Sequence, residues 1–196
     1  MNREVKAFDQ LVDRKVESVT SRGNAIRMKL DGKLNLILSP EYGGEVFYHT
    51  REATAPEKFH LRIDFSDGTA LTVRLTSMGG IHVFKDEELS NSYVFQRDFN
   101  PKILSPIDDT FTFGKFSELL TENAKALKPV LVGKDAVVVG LSNSAFQDII
   151  YRAKLHPKRK ASELSRDEQR ALFNAVKLVL QERIRLKGKD QFSDLY

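Results

Sequence analysis

Seven short segments between residues 15 and 84 alternate apolar and polar side chains, and this alternation constrains the fold more than any other feature. The segments are KVESVTS, AIRMKL, LNLIL, EVFYH, FHLRIDF, ALTVRL and IHVF. A period of two residues is typical of β-strands with one buried face. Asp31-Gly32 and Asp67-Gly68 separate consecutive segments, and such pairs favour tight hairpin turns. We therefore predict a mainly antiparallel β module, either a sandwich or a partly closed barrel.

The hydrophobic period becomes helical after about residue 115. One apolar stripe predicts a helix that ends at Pro129, and a second predicted helix carries Ala145, Phe146, Ile149, Ile150 and Ala153. Ser165 and Glu168 form a capping-box pattern at the start of a third helix. Its predicted apolar face is Leu172, Val176, Val179, Leu180 and Ile184, and Gly188 is its predicted C′ residue.

The segment from about 86 to 114 contains Asn100-Pro101 and Ser105-Pro106, and we interpret it as an irregular connector. The predicted fold class is α+β, with an N-terminal antiparallel β-sandwich in residues 1–100 and an all-α domain in residues 101–196.

Composition excludes several classes of function. The chain contains no cysteine, which rules out disulfides, thiolate zinc sites and cysteine nucleophiles. Its four histidines show no metal-ligand spacing, so we expect no cofactor in this chain. Without an apolar run long enough to span a bilayer, or a signal-peptide pattern, we expect a cytoplasmic protein, with no membrane partner.

The net charge is +4, and the basic excess lies in the last third of the sequence. That asymmetry is typical of polyanion binding, although a solvated lysine-rich surface also explains it.

The motif VVVGLSNSAFQD, residues 137–148, changes from β-branched residues to small polar ones directly before a predicted helix. Backbone N–H groups at a helix start, together with the helix dipole, favour an anion such as phosphate. The side chains of Ser142, Asn143 and Ser144 could equally serve as helix caps, since serine and asparagine are preferred there. The residue types alone do not separate phosphate contact from capping.

Four motifs in fixed order resemble one known family. They are Gly140-Leu141-Ser142-Asn143, the helix after it, Ala153-Lys154-Leu155-His156-Pro157, and Ala161-Ser162-Glu163-Leu164-Ser165 before the long helix. Together they resemble the helix-two-turn-helix domain of the formamidopyrimidine-DNA glycosylase and endonuclease VIII family. Weaker similarity in the β module and the Pro101-to-Phe113 connector extends the resemblance over most of the chain.

The resemblance implies base excision repair. Family members are DNA glycosylases and AP lyases that remove damaged bases and nick abasic sites, so the expected partner is damaged or abasic duplex DNA. A bacterial, nucleoid-associated monomer is the expected form. The alternatives are a non-catalytic module that recognises distorted or abasic DNA and, less favoured, an RNA-associated protein.

Three departures from the family pattern affect the expected chemistry. The family nucleophile is an N-terminal proline followed by glutamate, whereas this sequence begins Met1-Asn2-Arg3-Glu4, so we expect no catalytic residue here. The family triplet Arg-Gly-Lys, whose lysine assists elimination, reads Arg22-Gly23-Asn24. Many members continue into a finger that can hold zinc, and this sequence stops at Tyr196 without cysteine. We therefore expect the DNA-binding framework to persist without the catalytic apparatus.

Candidate DNA-binding residues follow from the resemblance and from charge. By resemblance Asn143 contacts a phosphate, with Gly140 and Ser142 shaping the same helix start. The clustered positive charge of the last third adds Lys128, Lys154, Lys158, Arg159 and Lys160 as candidates. The resemblance to the family's first hairpin adds Arg22 and Asn24. Met78 and Tyr42 stand next to glycine pairs and are candidate wedge residues for the gap left by an everted base, or ordinary packing residues. His156 is predicted to stabilise a turn rather than to act as a base.

Overall fold

The seven alternating segments form seven strands in the computed structural model, which describes residues 5–41, 43–76, 78–133 and 136–186. The strands are β1 Val16–Arg22, β2 Ala25–Leu30, β3 Leu34–Ser39, β4 Glu45–His49, β5 Leu61–Asp64, β6 Ala70–Arg74 and β7 Gly80–Lys85. A 3-10 helix, Val5–Leu11, precedes them. All of these strand pairs are antiparallel. The prediction of a mainly antiparallel β module is confirmed.

Residues 1–100 form the first of two compact units, and two sheets pack face to face within it. One has the strand order β1-β2-β3-β7 and the other the order β4-β6-β5. Their shared core joins Leu36 and Leu38 of the first sheet to Leu71 and Val73 of the second. A shared apolar layer between two sheets defines a β-sandwich rather than a closed barrel. At the β2–β3 and β5–β6 turns, Gly32 and Gly68 have φ values of 67° and 82°, which confirms both hairpin predictions.

The segment after β7 is not irregular throughout, which corrects the prediction of a continuous connector. A 3-10 helix spans Asp86–Asn91, and helix α1 spans Tyr93–Asp98. Ser92 caps α1, because its Oγ accepts a hydrogen bond from Phe95 N–H at 3.2 Å. Both elements are six residues long, which is too short to show a helical period in the sequence.

The second unit, residues 101–196, contains four α-helices among its described residues. They are α2 Phe113–Thr121, α3 Leu127–Val132, α4 Asn143–Arg152 and α5 Arg166–Arg185, with a 3-10 helix at Ala161–Glu163. Pro129 does not end a helix, as the sequence suggested, but lies in the first turn of α3. Proline is tolerated there because the first-turn N–H groups have no intrahelical partner to lose.

The core of the second unit is centred on aromatic and aliphatic side chains from three helices. Phe116 of α2, Ile149 of α4, and Leu172 and Val176 of α5 are fully buried. The predicted capping box is confirmed: Ser165 N–H donates to Glu168 Oε2 at 2.8 Å, and Glu168 N–H to Ser165 Oγ at 3.3 Å.

The predicted apolar face of α5 is correct except at its end, where Ile184 is 61% exposed. Gly188, the predicted C′ residue, lies outside the described residues. Over the described ranges, no helix is both long and apolar enough to cross a membrane.

Candidate functional site

Helix α4 begins directly after a tight turn at Gly140. The chain before the turn is held in the core, because Val138 pairs with Leu104 in a parallel bridge and Val139 N–H donates to the Leu104 carbonyl at 2.9 Å. Gly140 has a φ of 82°, in the left-handed region where a side chain is strained. The turn therefore leads the chain from a buried segment into three exposed polar residues, 142–144.

Capping at this helix start falls on Ser142. Its Oγ accepts a hydrogen bond from Ala145 N–H at 3.1 Å and lies 3.0 Å from Ser144 Oγ. Asn143 is the first helical residue and is exposed. Because Ser142 supplies the cap, the Asn143 amide is not required for it. The N–H groups of the first turn and the Asn143 side chain then form a donor set of the kind that binds anions.

Arg183 of α5 lies beside this helix start and is bonded to it. Its guanidinium donates to Ser144 Oγ at 3.2 Å and to Asp148 Oδ2 at 2.8 Å. The second contact is an ion pair of two mostly buried side chains. The sequence analysis missed Arg183, since nothing local indicates that a residue so far along the chain returns to the start of α4.

The other end of α4 places Lys154 in an unusual conformation. Leu155 N–H donates to the Ile150 carbonyl at 3.0 Å, and Lys154 N–H to the Tyr151 carbonyl at 3.1 Å, which together form a Schellman motif. Lys154 occupies the C′ position with a φ of 55°, where glycine is usual. Its side chain is exposed. Lys154 therefore occupies a position where the backbone conformation favours glycine.

His156 has the structural role expected from the sequence. Its Nδ1 accepts a hydrogen bond from Lys158 N–H at 3.3 Å, and its carbonyl accepts one from Arg159 N–H at 3.0 Å. These bonds close the turn at Pro157 and leave the Lys158 side chain exposed. The imidazole thus organises the backbone from which a basic residue projects.

Residues distant in sequence meet where residues 125–127 pair with residues 159–161. Leu127 N–H donates to the Arg159 carbonyl and Ala161 N–H to the Lys125 carbonyl, both at 2.9 Å. This pairing places the segment that carries Lys128 beside the segment that carries Lys160. It also adds Lys125, which the sequence analysis missed because the pairing is not local. Lys160 contacts Glu163 through an exposed ion pair of 3.1 Å, which is weak in water.

Arg159 stands apart from the other basic residues of this group. Its guanidinium donates to the Glu163 carbonyl and to Glu168 Oε2, each at 3.2 Å. The pKa of the Glu168 carboxyl is lowered, first by the hydrogen bond from Ser165 N–H and also by the charge of Arg159. Arg159 therefore stabilises the start of α5. The exposed lysines that the sequence analysis had proposed here, called the turn lysines, are Lys128, Lys154, Lys158 and Lys160.

The candidates of the first unit gather at one end of the four-stranded sheet. The register pairs Arg22 with Ala25, Ile26 with Leu38, and Ser39 with Gly80. The β1–β2 turn, which contains the exposed Asn24, therefore lies at the same end as the β3–β4 and β6–β7 loops.

Arg22 has structural contacts at this end of the sheet. Its guanidinium donates to the carbonyls of Asp98 and Asn100, at 2.5 and 3.0 Å. These contacts hold the chain at the end of α1. They give Arg22 a structural role that requires no phosphate contact. Gly23 also serves this packing, because a Cβ there would lie 2.5 Å from Asp98 Oδ1.

The two loops that carry the wedge candidates lie side by side. A Cβ on Gly43 would approach Thr76 Cγ2 at 3.4 Å, and one on Gly79 would lie 3.0 Å from the Pro40 carbonyl. Met78 is 76% exposed, so it does not pack over the glycine turn. Tyr42, the other wedge candidate, lies outside the described residues. Among the residues that the structure describes, no group of three or more His, Asp or Glu side chains could hold a metal ion.

A β-sandwich followed by two capped helices, with a basic turn between them, defines a protein of the helix-two-turn-helix class. Residues 104–193 match the family model described as the formamidopyrimidine-DNA glycosylase H2TH domain. Over both units the chain is similar to formamidopyrimidine-DNA glycosylases, and its second unit carries the matching H2TH domain.

Curated relatives match both units of the chain. A formamidopyrimidine-DNA glycosylase of Heliobacterium modesticaldum is 28% identical over 92% of this chain and 65% of its own length. Those of Bacillus cereus and Herpetosiphon aurantiacus are each 25% identical, over 63% and 64% of their lengths. The chain therefore spans slightly less than two thirds of these relatives.

Solved structures show the same fold. The Lactococcus lactis glycosylase, non-covalently bound to DNA with an AP site, has a TM-score of 0.73 and 22% identity, covering 95% of this chain and 72% of that chain. The same enzyme in complex with DNA containing FAPY-dG has a TM-score of 0.72 and 23% identity, covering 93% and 68%.

Proposed function

We propose that this chain is a DNA repair protein that binds damaged or abasic duplex DNA through its second unit. The observation that carries the proposal is the start of α4, where Ser142 supplies the cap and the exposed Asn143 amide is left for a ligand. Curated relatives are named formamidopyrimidine-DNA glycosylases, and the solved structures contain damaged DNA. These names support DNA repair as the setting, and we propose the bacterial cytoplasm as the compartment.

The geometry of α4 fits a phosphate backbone. The helix has ten residues, so about 15 Å separate the Asn143 end from the Lys154 end. That distance corresponds to roughly four phosphates along the axis of one DNA strand. Asn143 can therefore hold one phosphate by hydrogen bonds while the turn lysines attract others by charge. Contacts of both kinds fix the position of the protein on the duplex without reading its sequence.

Binding is tested by fluorescence anisotropy with two labelled duplexes of the same sequence, one of which contains a stable abasic-site analogue. We expect salt-dependent binding to both duplexes and tighter binding to the abasic one, because an unstacked site bends and opens at lower cost. Equal affinity for both would contradict recognition of damage, and no measurable binding would contradict the proposal altogether.

We propose binding rather than strand cleavage as the activity of this chain. Position 24 carries an amide in the triplet Arg22-Gly23-Asn24, where the family pattern has a lysine that assists elimination. An amide stays uncharged and does not donate a proton as an ammonium group does, so it cannot replace that lysine in elimination. Incubation with an end-labelled abasic duplex tests the point: we expect an intact strand, and a β-elimination product would show that the chain retains lyase chemistry.

Asn143→Ala should weaken DNA binding about 10- to 100-fold, because a hydrogen bond to a charged group contributes roughly 1.5–3 kcal/mol. The slope of log K against log[salt] should not change, since no cation is lost. Ser144→Ala is a matched control on the same turn, and thermal melting checks that both variants fold. Wild-type affinity in Asn143→Ala would show that this amide does not contact DNA.

Lys154→Gly should move stability and DNA binding in opposite directions. Glycine relieves a left-handed conformation at φ 55° that costs other residues about 1–2 kcal/mol, and part of this gain is offset by the greater freedom of glycine in the unfolded chain, so the net stabilisation should be about 0.5–1 kcal/mol. The loss of one phosphate contact should reduce the salt slope by about 0.9. Melting temperature and anisotropy titrations measure the two effects, and Lys154→Arg is the control for charge. A stabilised variant with an unchanged slope would remove Lys154 from the proposed interface.

A further inference from the structure

One face of α5 carries a row of hydrogen-bond donors that the site described above does not use. The row recurs at i, i+4, i+8 and i+11, so its members share one side of the helix over about 17 Å. All four side chains are exposed. They are named here the α5 donor strip and comprise Arg166, Arg170, Asn174 and Lys177.

Arg170 of the strip is stacked on an aromatic ring, and the other two cations lie within cation–π distance of one. The Arg170 guanidinium carbon lies 3.4 Å from the centroid of the Phe113 ring, and that of Arg166 lies 5.9 Å from it. Lys177 Nζ lies 5.8 Å from the centroid of Phe173. A stacked guanidinium has lost part of its rotational freedom, while its N–H donors still point outward in a plane. Binding a ligand there costs less side-chain entropy than binding it to a free arginine.

The position of Arg166 is unfavourable for the helix itself. It is the first residue of α5, where the helix dipole is positive and a cation is destabilising. The strip contains no carboxylate. At its far end, Lys177 borders a cavity of about 280 Å³ that Asp108 and Asp109 also line. The positive character is therefore strongest in the first two turns, at Arg166 and Arg170.

We propose that the α5 donor strip is a second DNA-backbone contact, separate from the start of α4 and from the turn lysines. A straight row of cations with an interspersed amide matches the repeated phosphates of a nucleic-acid strand. Arg170 adds a planar face on which an unpaired base can stack. The inference rests on the proposed function, since it assigns a further segment of the same DNA to this unit.

The test is the salt dependence of binding to an abasic duplex of about 30 base pairs. The triple variant R166Q/R170Q/K177Q should reduce the slope of log K against log[salt] by about 2.7 if three duplex phosphates are lost, and by about 2.1 for a single-stranded segment. The charge-preserving variant R166K/R170K/K177R should keep the wild-type slope. R166Q/K177Q leaves the Arg170–Phe113 stack intact and should reduce the duplex slope by about 1.8, which guards against a folding defect in the triple variant.

The outcomes separate this inference from the proposed function. A wild-type slope in both glutamine variants, with normal wild-type binding, would overturn the α5 contact alone. A wild-type chain without salt-dependent binding would overturn both proposals. If the glutamine variants keep the DNA slope but lose binding to a polyglutamate peptide, the strip serves an acidic protein partner, and the DNA contact is refuted.

Discussion

Replacing the four turn lysines with glutamine should reduce the slope of log K against log[salt] by about 3.6, because each lost duplex phosphate contact removes about 0.9. At about 0.1 M salt this corresponds to an affinity loss of roughly 4,000-fold. The variant is K128Q/K154Q/K158Q/K160Q, and all four side chains are exposed. Anisotropy titrations of the abasic duplex at four or more salt concentrations give the slope directly.

The control for this variant keeps the charge. Replacing the same four lysines with arginine should preserve the slope, since the counterion effect depends on charge rather than on side-chain shape. Arg159→Gln is a second comparison: its guanidinium is bonded to Glu168 and the Glu163 carbonyl, so the slope should change by much less than 0.9. An unchanged slope in the fourfold glutamine variant would mean that the basic excess is only a solvated surface.

Phe116→Ala should destabilise the second unit by about 3–5 kcal/mol, the usual cost of removing a fully buried aromatic side chain. Phe116 is 0% exposed, and its ring centroid lies 5.2 Å from that of Phe111 and 6.1 Å from that of Phe173. The loss is a large part of the 5–15 kcal/mol that is typical of a whole domain. Hydrogen exchange of the full chain should show faster exchange in α2 and α5.

Phe47→Ala is the matched control in the first unit. Its side chain is 46% exposed on β4, so the same truncation should cost less than about 1 kcal/mol. Exchange in the strands should remain close to wild type in Phe116→Ala, because each unit has its own buried core. Equal destabilisation by the two truncations would contradict the view that Phe116 anchors the helical core.

Local patterns predicted much of the fold. The strands follow from alternation, the hairpins from Asp-Gly pairs, and the start of α5 from Ser165 and Glu168. Each signal depends on residues a few positions apart, which is why the sequence alone reveals it. The short helix α1 was not predicted, because six residues are too few to show a helical period. The role of Pro129 was predicted wrongly, because a proline in the first turn of a helix and a proline that ends a helix look the same in the sequence.

The candidate site was predictable only as a set of residue types. The order of motifs carried the resemblance to the glycosylase family and singled out Asn143, and the basic excess pointed to the turn lysines. The sequence did not show which of these cations are exposed to solvent and which are bonded within the protein. Arg22 and Arg159 carry the same charge as their neighbours, but both bond to groups of the protein. Lys125 and Arg183 reach the site through contacts between distant parts of the chain.

The sequence by itself determined the seven strands, the capping box at the start of α5, and the resemblance to the formamidopyrimidine-DNA glycosylase family. The tertiary structure decided which donors remain for a ligand: Ser142 takes the cap and leaves the Asn143 amide, and Arg170 lies on the Phe113 ring. The physical reason is the distance along the chain over which each interaction acts. Periodicity and capping act over one or two turns, whereas ion pairing, stacking and exposure depend on which distant segments pack together.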